Sequence, residues 1–259
     1  MSSVKPKLKV RGSASGFMWG RTVFTDYDGA CLRKILLASR GAWSGDIDKK
    51  HVVRGAFNEN EYEKQLQAIG AEYIREKFAQ DTIPGSSVPF QGSIDYFVSG
   101  TDCNEVHELK STESKNKLRE IKAGRYTTEN LAQAISYMIA ENTVVGKLIY
   151  SYFELDTATN TYAQKYTRTF EINIDNSGRI VVDNVPTKWT VYDQLLHRTT
   201  SAKVVEEGIV WDRPHNWELM WGSPCKYCPF AKACDAYDKG SIEGVDAFVD
   251  EAITVSKPK

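Results

Sequence analysis

The placement of cysteines constrains this chain more than any other feature. Cys31 stands alone near the start, while Cys225, Cys228 and Cys234 fall together near the end in the run PCKYCPFAKAC. C-x2-C is a chelating turn shared by zinc and iron–sulfur sites. Structural zinc sites are usually built from two local pairs, so one distant cysteine plus a group of three is an awkward zinc pattern. If the four share one metal centre, the two ends of the chain must meet around everything between them. Cys103 lies in a turn-forming run away from the other cysteines and reads as a free thiol.

The bulk numbers leave room for such a closed core. Of 259 residues, 41% are hydrophobic and 26% charged, an ordinary globular balance. The formal net charge is −1, so any nucleic-acid surface must come from local charge. No apolar run is long enough to span a membrane. The start, MSSVKPKLKVRGSASG, is basic but lacks the apolar stretch of a secretory signal. A cytoplasmic location is therefore the expectation, where grouped thiols bind metals more often than they form disulfides.

Periodicity and turn chemistry predict the elements. A helix from Thr25 or Asp26 to about Leu37 carries Cys31, and a loop covers Gly41 to about Lys50. A long helix is predicted over Val52–Ala79, with Val53, Phe57, Leu66, Ile69, Ile74 and Phe78 near helical spacing and Gly70 as a weak point. Strands follow over Val88–Val98 and Glu105–Lys110, joined by the turn Ser99–Asp102. A helix opens at Thr128 or Glu129 and runs to about Ala140. Further strands are predicted over Val144–Leu155 and Tyr162–Ile174, then a helix over Pro186–Glu206 and a weakly helical tail. This order fits an α/β sandwich around a mixed central sheet.

Within that order, Asp95 lies on one strand, with Glu108 and Lys110 on the next. Residues i and i+2 of a strand share a face, so Glu108 and Lys110 project together while Leu109 points away. Two carboxylates on adjacent strands can hold a hard divalent cation. A lysine beside them can orient water and stabilise charge on a phosphate. Gln133 and Tyr137, spaced i and i+4, share one helix face, as do Glu59 and Glu63.

The segments RGAFNENEYE (54–63), GSID (92–95), ELK (108–110) and QAISY (133–137), in this order, resemble the RecB-type nucleases of the PD-(D/E)XK superfamily. The resemblance implies a restriction-endonuclease-like α/β core and Mg²⁺- or Mn²⁺-dependent hydrolysis of DNA. It implies Asp95, Glu108 and the Leu109 carbonyl as metal ligands and Lys110 as the catalytic lysine. Gln133 and Tyr137 would position DNA or the attacking water. The first motif of that family resembles G-x3-H-x3-E. Gly55 and Glu63 match it, while Glu59 stands in the histidine position; Glu59 and Glu63 are then candidate ligands, with oxygen replacing nitrogen at Glu59. His51, an alternative donor, lies before Gly55 and reads as a surface residue near a helix start.

The cysteine arrangement is similar to that of the iron-staple nucleases, namely the AddB subunit and the CRISPR-adaptation exonucleases. It implies a 4Fe–4S cluster on Cys31, Cys225, Cys228 and Cys234. The expected organisation is a flexible basic arm over 1–20, one nuclease domain over 21–240 and a tail over 241–259. Within the domain, 25–40 and 222–236 would form the staple. Lys115, Lys117, Arg119, Lys122 and Arg125 follow the candidate active strand and could meet DNA phosphates. Trp211, Trp217 and Trp221 precede the cysteine run and suit shielding of a cluster. No zinc finger or helix-turn-helix pattern appears, which favours processing of DNA ends or single strands over sequence-specific cleavage. Helicase, recombination or CRISPR-adaptation partners are compatible with that activity. The rival readings are a catalytically silent DNA-binding or scaffolding relative, and the same core stapled by zinc.

Overall fold

A computed structural model describes residues 33, 36–37, 40, 49–87, 89–159, 161–208 and 230–256. Cys31, Cys225, Cys228, the three tryptophans before them and the 1–20 arm lie outside these residues. The chain divides into two compact units. One comprises Ile47–Asp81 and Gln91–Gln194; the other takes Met1–Asp46, Thr82–Phe90 and Leu195–Lys259.

The first unit begins with α1 (Lys49–Ala68) and the strand β1 (Tyr73–Asp81). The long helix predicted over Val52–Ala79 is therefore broken. Gly70, at φ +68°, adopts the left-handed conformation that ends helices, and the chain continues as a strand. Ile74 and Phe78, four apart, had mimicked a helical stripe; they lie on the exposed face of β1, where a spacing of four also repeats. The hairpin strands β2 (Phe90–Val98) and β3 (Glu105–Thr112) follow. Two helices, α2 (Lys115–Lys122) and α3 (Thr128–Ala140), carry the chain over to β4 (Val145–Asp156). Then come β5 (Thr161–Ile174), β6 (Arg179–Val182) and β7 (Val185–Thr190).

The sheet runs in the order β1 to β7. β2 and β3 are antiparallel, with Tyr96 opposite His107 and Val98 opposite Glu105. β3 and β4 are parallel, with Glu108 opposite Leu148 and Lys110 opposite Tyr150. The pairs from β4 to β7 are antiparallel, so the sheet is mixed, as the order of predicted elements implied. β7 replaces the first part of the helix predicted over Pro186–Glu206. The turn between β6 and β7 places Asp183 and Asn184 at positive φ, which suits a tight hairpin.

Helices cover the two faces. Tyr62 and Leu66 of α1 join Tyr96, Val98, Leu109 and Ile149 in one apolar cluster. α3 packs on β3 and β4 from the side to which Glu108 and Lys110 point. Gly146 of β4 allows that approach, since a Cβ there would lie 2.7 Å from the Met138 sulfur. Fully enclosed side chains such as Tyr96 and Phe153 contribute about 2–3 kcal/mol each through apolar burial.

The second unit holds the latter part of α4 (Val191–Glu207), together with α5 (Ala231–Asp238) and α6 (Val245–Ser256). Leu37, Phe230, Ala233, Cys234, Phe248 and Ala252 form its buried cluster. Arg33 pairs with Asp238 at 2.7 Å, and its guanidinium lies 5.3 Å from the Tyr237 ring centre. Glu206 accepts hydrogen bonds from the Ser87 amide at 2.6 Å and the Ser86 hydroxyl at 2.9 Å. Among the described residues, no helix is long and apolar enough to cross a membrane.

Candidate active site

β2, β3 and α3 place the predicted carboxylates and lysine together. β2 and β3 stay paired as far as Tyr96 and His107. Immediately beyond, Asp95 Oδ2 accepts the main-chain N–H of Leu109 at 2.7 Å. The side chain thus takes over a ladder bond and is tied to the residue between Glu108 and Lys110. Glu108 is 1% exposed. Its Oε1 lies 2.5 Å from Lys110 Nζ, while its Oε2 is buried with no hydrogen-bond partner among the described residues.

Lys110 Nζ also donates to Gln133 Oε1 at 3.0 Å, and Gln133 Nε2 reaches Tyr137 Oη at 3.5 Å. The i, i+4 pair on α3 is therefore stacked over the strand pair. Thr127 caps α3, its hydroxyl accepting the Asn130 amide at 3.4 Å. Tyr150, opposite Lys110, anchors the same helix start by accepting from Asn130 Nδ2 at 2.7 Å. Gly92 matters by its lack of a side chain. A Cβ there would stand 2.6 Å from both Cε1 and Oη of Tyr137. The glycine of GSID lets the Tyr137 ring lie against β2.

Burial dominates the electrostatics. It pushes the Asp95 carboxyl well above the usual carboxylate range, with the neighbouring Glu108 charge adding to it. Burial likewise raises Glu108, against the opposing effect of Lys110. For Lys110, burial favours the neutral amine, but Glu108 and Asp95 outweigh it and hold the ammonium protonated. Burial, then the Glu108 charge, keeps the Tyr137 phenol protonated. A protonated lysine is thus bonded to one, and attracted by both, of two carboxylates that are costly to keep charged.

A divalent cation would relieve that cost, and the donors suit a hard one. The two carboxylates are on paired neighbouring strands, and one Glu108 oxygen is buried with no partner among the described residues. A partnerless buried polar atom costs about 1–3 kcal/mol. Among the described residues, no group of three or more His, Cys, Asp or Glu side chains forms a ready-made metal cage. Mg²⁺-type sites use one or two carboxylates and complete their shell with substrate phosphate and water.

The other predicted residues have partners of their own. Glu59 and Glu63 are bound to Arg75, at 2.8 Å and 2.9 Å. Lys115, Lys117, Arg119, Lys122 and Arg125 are all exposed. Lys115, Arg119 and Lys122 share one face of α2, a helix capped by Ser114. Arg119 bonds Asn116 and Arg125 pairs with Glu120, while Lys122 Nζ lies 5.3 Å from the Tyr166 ring centre. Cys234 is buried on α5, and Cys103 is partly buried in the β2–β3 turn.

Sequence reading had missed Arg75, Tyr150 and Asn130, because no motif marks them. It had also missed Arg54 of α1, which holds the end of β3 by bonding Ser111 at 3.2 Å and Glu113 at 2.7 Å. Its position one residue before Gly55 of the first motif was the only signal.

No family model and no curated protein matches this sequence. Similar solved structures include an alkaline exonuclease from Laribacter hongkongensis, at 13% identity and a TM-score of 0.48 over 75% of this chain and 87% of that one. The same enzyme in complex with dAMP matches at 14% identity with the same coverage and score. A phage-related exonuclease from Haemophilus somnus 129PT matches at 11% identity and a TM-score of 0.45, over 68% of this chain and 79% of that one.

Proposed function

We propose that this chain is a divalent-cation-dependent DNA exonuclease of the RecB-type PD-(D/E)XK kind. The observation that carries the reading is the unpaired, buried Glu108 Oε2 beside Asp95, with Lys110 held across it by Gln133. Asp95, Glu108 and the Leu109 carbonyl would hold Mg²⁺ or Mn²⁺. Such a cation, when bound, supplies an activated water and neutralises charge developing on the phosphate.

The remaining work falls to the side chains. Glu108 and Gln133 fix the Lys110 ammonium in one position, so its charge is in place before the phosphate becomes more negative. Tyr137 braces Gln133 and, with Gly92, shapes the wall beside Asp95. The cationic face of α2 would neutralise backbone phosphates and supply sequence-independent affinity. With no sequence-reading element evident, attack at DNA ends is the fitting mode. Long duplexes would then be opened by a separate helicase.

Digestion of end-labelled linear DNA beside closed circular DNA tests this. Mononucleotide release from linear DNA alone, stopped by chelation and lost in Asp95→Ala, is expected. Binding without release would favour a silent DNA-binding relative.

A 4Fe–4S cluster on Cys31, Cys225, Cys228 and Cys234 is the second part of the proposal. Its support is the packing, around Cys234, of residues that follow Cys31 in the sequence. Arg33, just after Cys31, pairs with Asp238, one turn beyond Cys234, and Leu37 shares the buried cluster of Cys234. Protein purified without oxygen should be brown and carry about four irons per chain. A colourless protein with one zinc would refute the cluster.

A further inference from the structure

Arg168 of β5 has more hydrogen-bonding capacity than the fold uses. Its Nη2 donates to Asp183 Oδ2 at 2.7 Å, and its guanidinium carbon lies 5.2 Å from the Phe170 ring centre. Its Nε is buried with no partner among the described residues. A guanidinium is a fork of N–H donors, so one carboxylate oxygen leaves most of the fork unused. The group is nonetheless held in place. Asp183, in the β6–β7 turn, is fixed by accepting the Glu171 amide on Oδ1 at 2.9 Å. Phe170 is clasped by Tyr126 and Tyr150, whose ring centres lie 5.3 Å and 5.9 Å away. The Arg168–Asp183 pair is partly exposed, and such pairs add little stability. Stability therefore gives no reason for a fixed arginine with an orphaned donor here.

Strand register ties Arg168 to the candidate active site. Lys110 of β3 stands opposite Tyr150 of β4, and Tyr150 stands opposite Arg168 of β5. Residues opposite one another on paired strands project to one face of the sheet, so Arg168 shares the face of Lys110. Their backbones are two strand spacings apart, about 10 Å. The start of α3 lies over the residue between them. Tyr150 Oη accepts the Thr127 amide at 3.1 Å and Asn130 Nδ2 at 2.7 Å, and that end of a helix carries positive partial charge. In the next row of the same face Tyr152 is opposite Tyr166, with Lys122 of α2 5.3 Å from the Tyr166 ring centre. Lys122 and Arg168 thus belong to neighbouring rows. Positive groups line this face from α2 through Arg168 to Lys110.

We infer that Arg168 contacts the substrate, gripping a DNA phosphate beside the one attacked and so setting where the strand lies over Lys110. The inference rests on the nuclease reading of that site. The unused N–H groups of Arg168 can give paired hydrogen bonds to two phosphate oxygens, which a lysine cannot. Asp183 and Phe170 fix the guanidinium before DNA arrives, so little order is lost on binding. The contact is to the backbone and carries no base preference. Because Arg168 stands away from the reacting atoms, its loss should weaken strand binding and leave the chemical step in place.

Short DNA strands carrying one uncharged methylphosphonate, moved one position at a time from the cleaved bond, test this on the full chain with Mg²⁺. In the unaltered protein, one position beside the cleaved bond should raise KM about tenfold, as for loss of a hydrogen bond to a charged group. Arg168→Gln on ordinary DNA should show the same rise, with kcat within about twofold. In that variant the methylphosphonate at that position should add nothing further, because its partner is already gone. The slope of log affinity against log salt should flatten by about one unit. Arg168→Lys keeps the charge without the fork, so it should keep the slope and recover only part of KM. An unchanged KM in Arg168→Gln would overturn the inference. So would a methylphosphonate penalty of full size at every position in that variant. If Arg168→Gln is not natively folded by circular dichroism, Arg168→Lys decides, and a KM equal to that of the unaltered protein removes the role. If the unaltered protein cuts none of these strands, the nuclease reading fails and takes this inference with it. Cleavage that ignores Arg168 leaves that reading standing and removes only the phosphate grip.

Discussion

Asp95 and Leu109 are joined by a 2.7 Å hydrogen bond from the Leu109 amide to the Asp95 carboxylate, at the point where β2 and β3 stop pairing. The bond locks Asp95 beside the residue that separates Glu108 from Lys110. A carboxylate placed by a main-chain bond is more precisely positioned than one on a free rotamer.

That placement gives the first prediction. Asp95→Ala and Glu108→Ala should each abolish release of nucleotides while circular dichroism stays native. Lys110→Ala should lower kcat by about 100-fold or more with little change in DNA affinity, because its charge matters most as the phosphate becomes more negative. Full activity in Asp95→Ala, with a contaminating nuclease excluded, would sink the assignment.

Gly92 and Tyr137 should behave as a coupled pair. Gly92→Ala places a Cβ 2.6 Å from the buried tyrosine ring, so the ring must move. The expected cost is about 1–3 kcal/mol of stability, typical of overpacking, with activity falling as Gln133 loses its brace. Tyr137→Ala should cost less stability in the Gly92→Ala background than in the unaltered protein, because the clashing ring is already strained there. Strictly additive losses in urea denaturation would show that the two residues do not press on each other.

The exposed cationic face of α2 should control salt sensitivity. Replacing Lys115, Arg119 and Lys122 together by glutamine should weaken binding of unrelated DNA sequences alike. The slope of log affinity against log salt should flatten by up to about 2–3 units, close to one per lost phosphate contact. Unchanged slopes would move the DNA to another face.

The cysteines make a test independent of the nuclease core. Cys31→Ser should lose iron and solubility together, because cluster binding and folding are linked. Cys103→Ser should alter neither, since that thiol, in the β2–β3 turn, is outside the proposed ligand set. Retention of full iron content in Cys31→Ser, read by metal analysis, would remove Cys31 from the ligand set.

What the chain declared by itself was local. Strand alternation put Glu108 and Lys110 on one face, and helical spacing put Gln133 and Tyr137 on another, so bringing them together needed only the expected sandwich of α3 on β3. The break at Gly70 shows the limit of that logic, because Ile74 and Phe78 satisfy helical and strand spacing equally well. Only the sheet, which gives β1 its hydrogen-bonding partner, decides between them. The same holds for Glu59. Its spacing from Glu63 was legible, but its partner Arg75 is on another element, next to a left-handed residue that no pattern marks. Residue spacing encodes which side chains share an element. Which charges meet across elements is set by sheet pairing and helix packing, and that was decided by the tertiary structure alone.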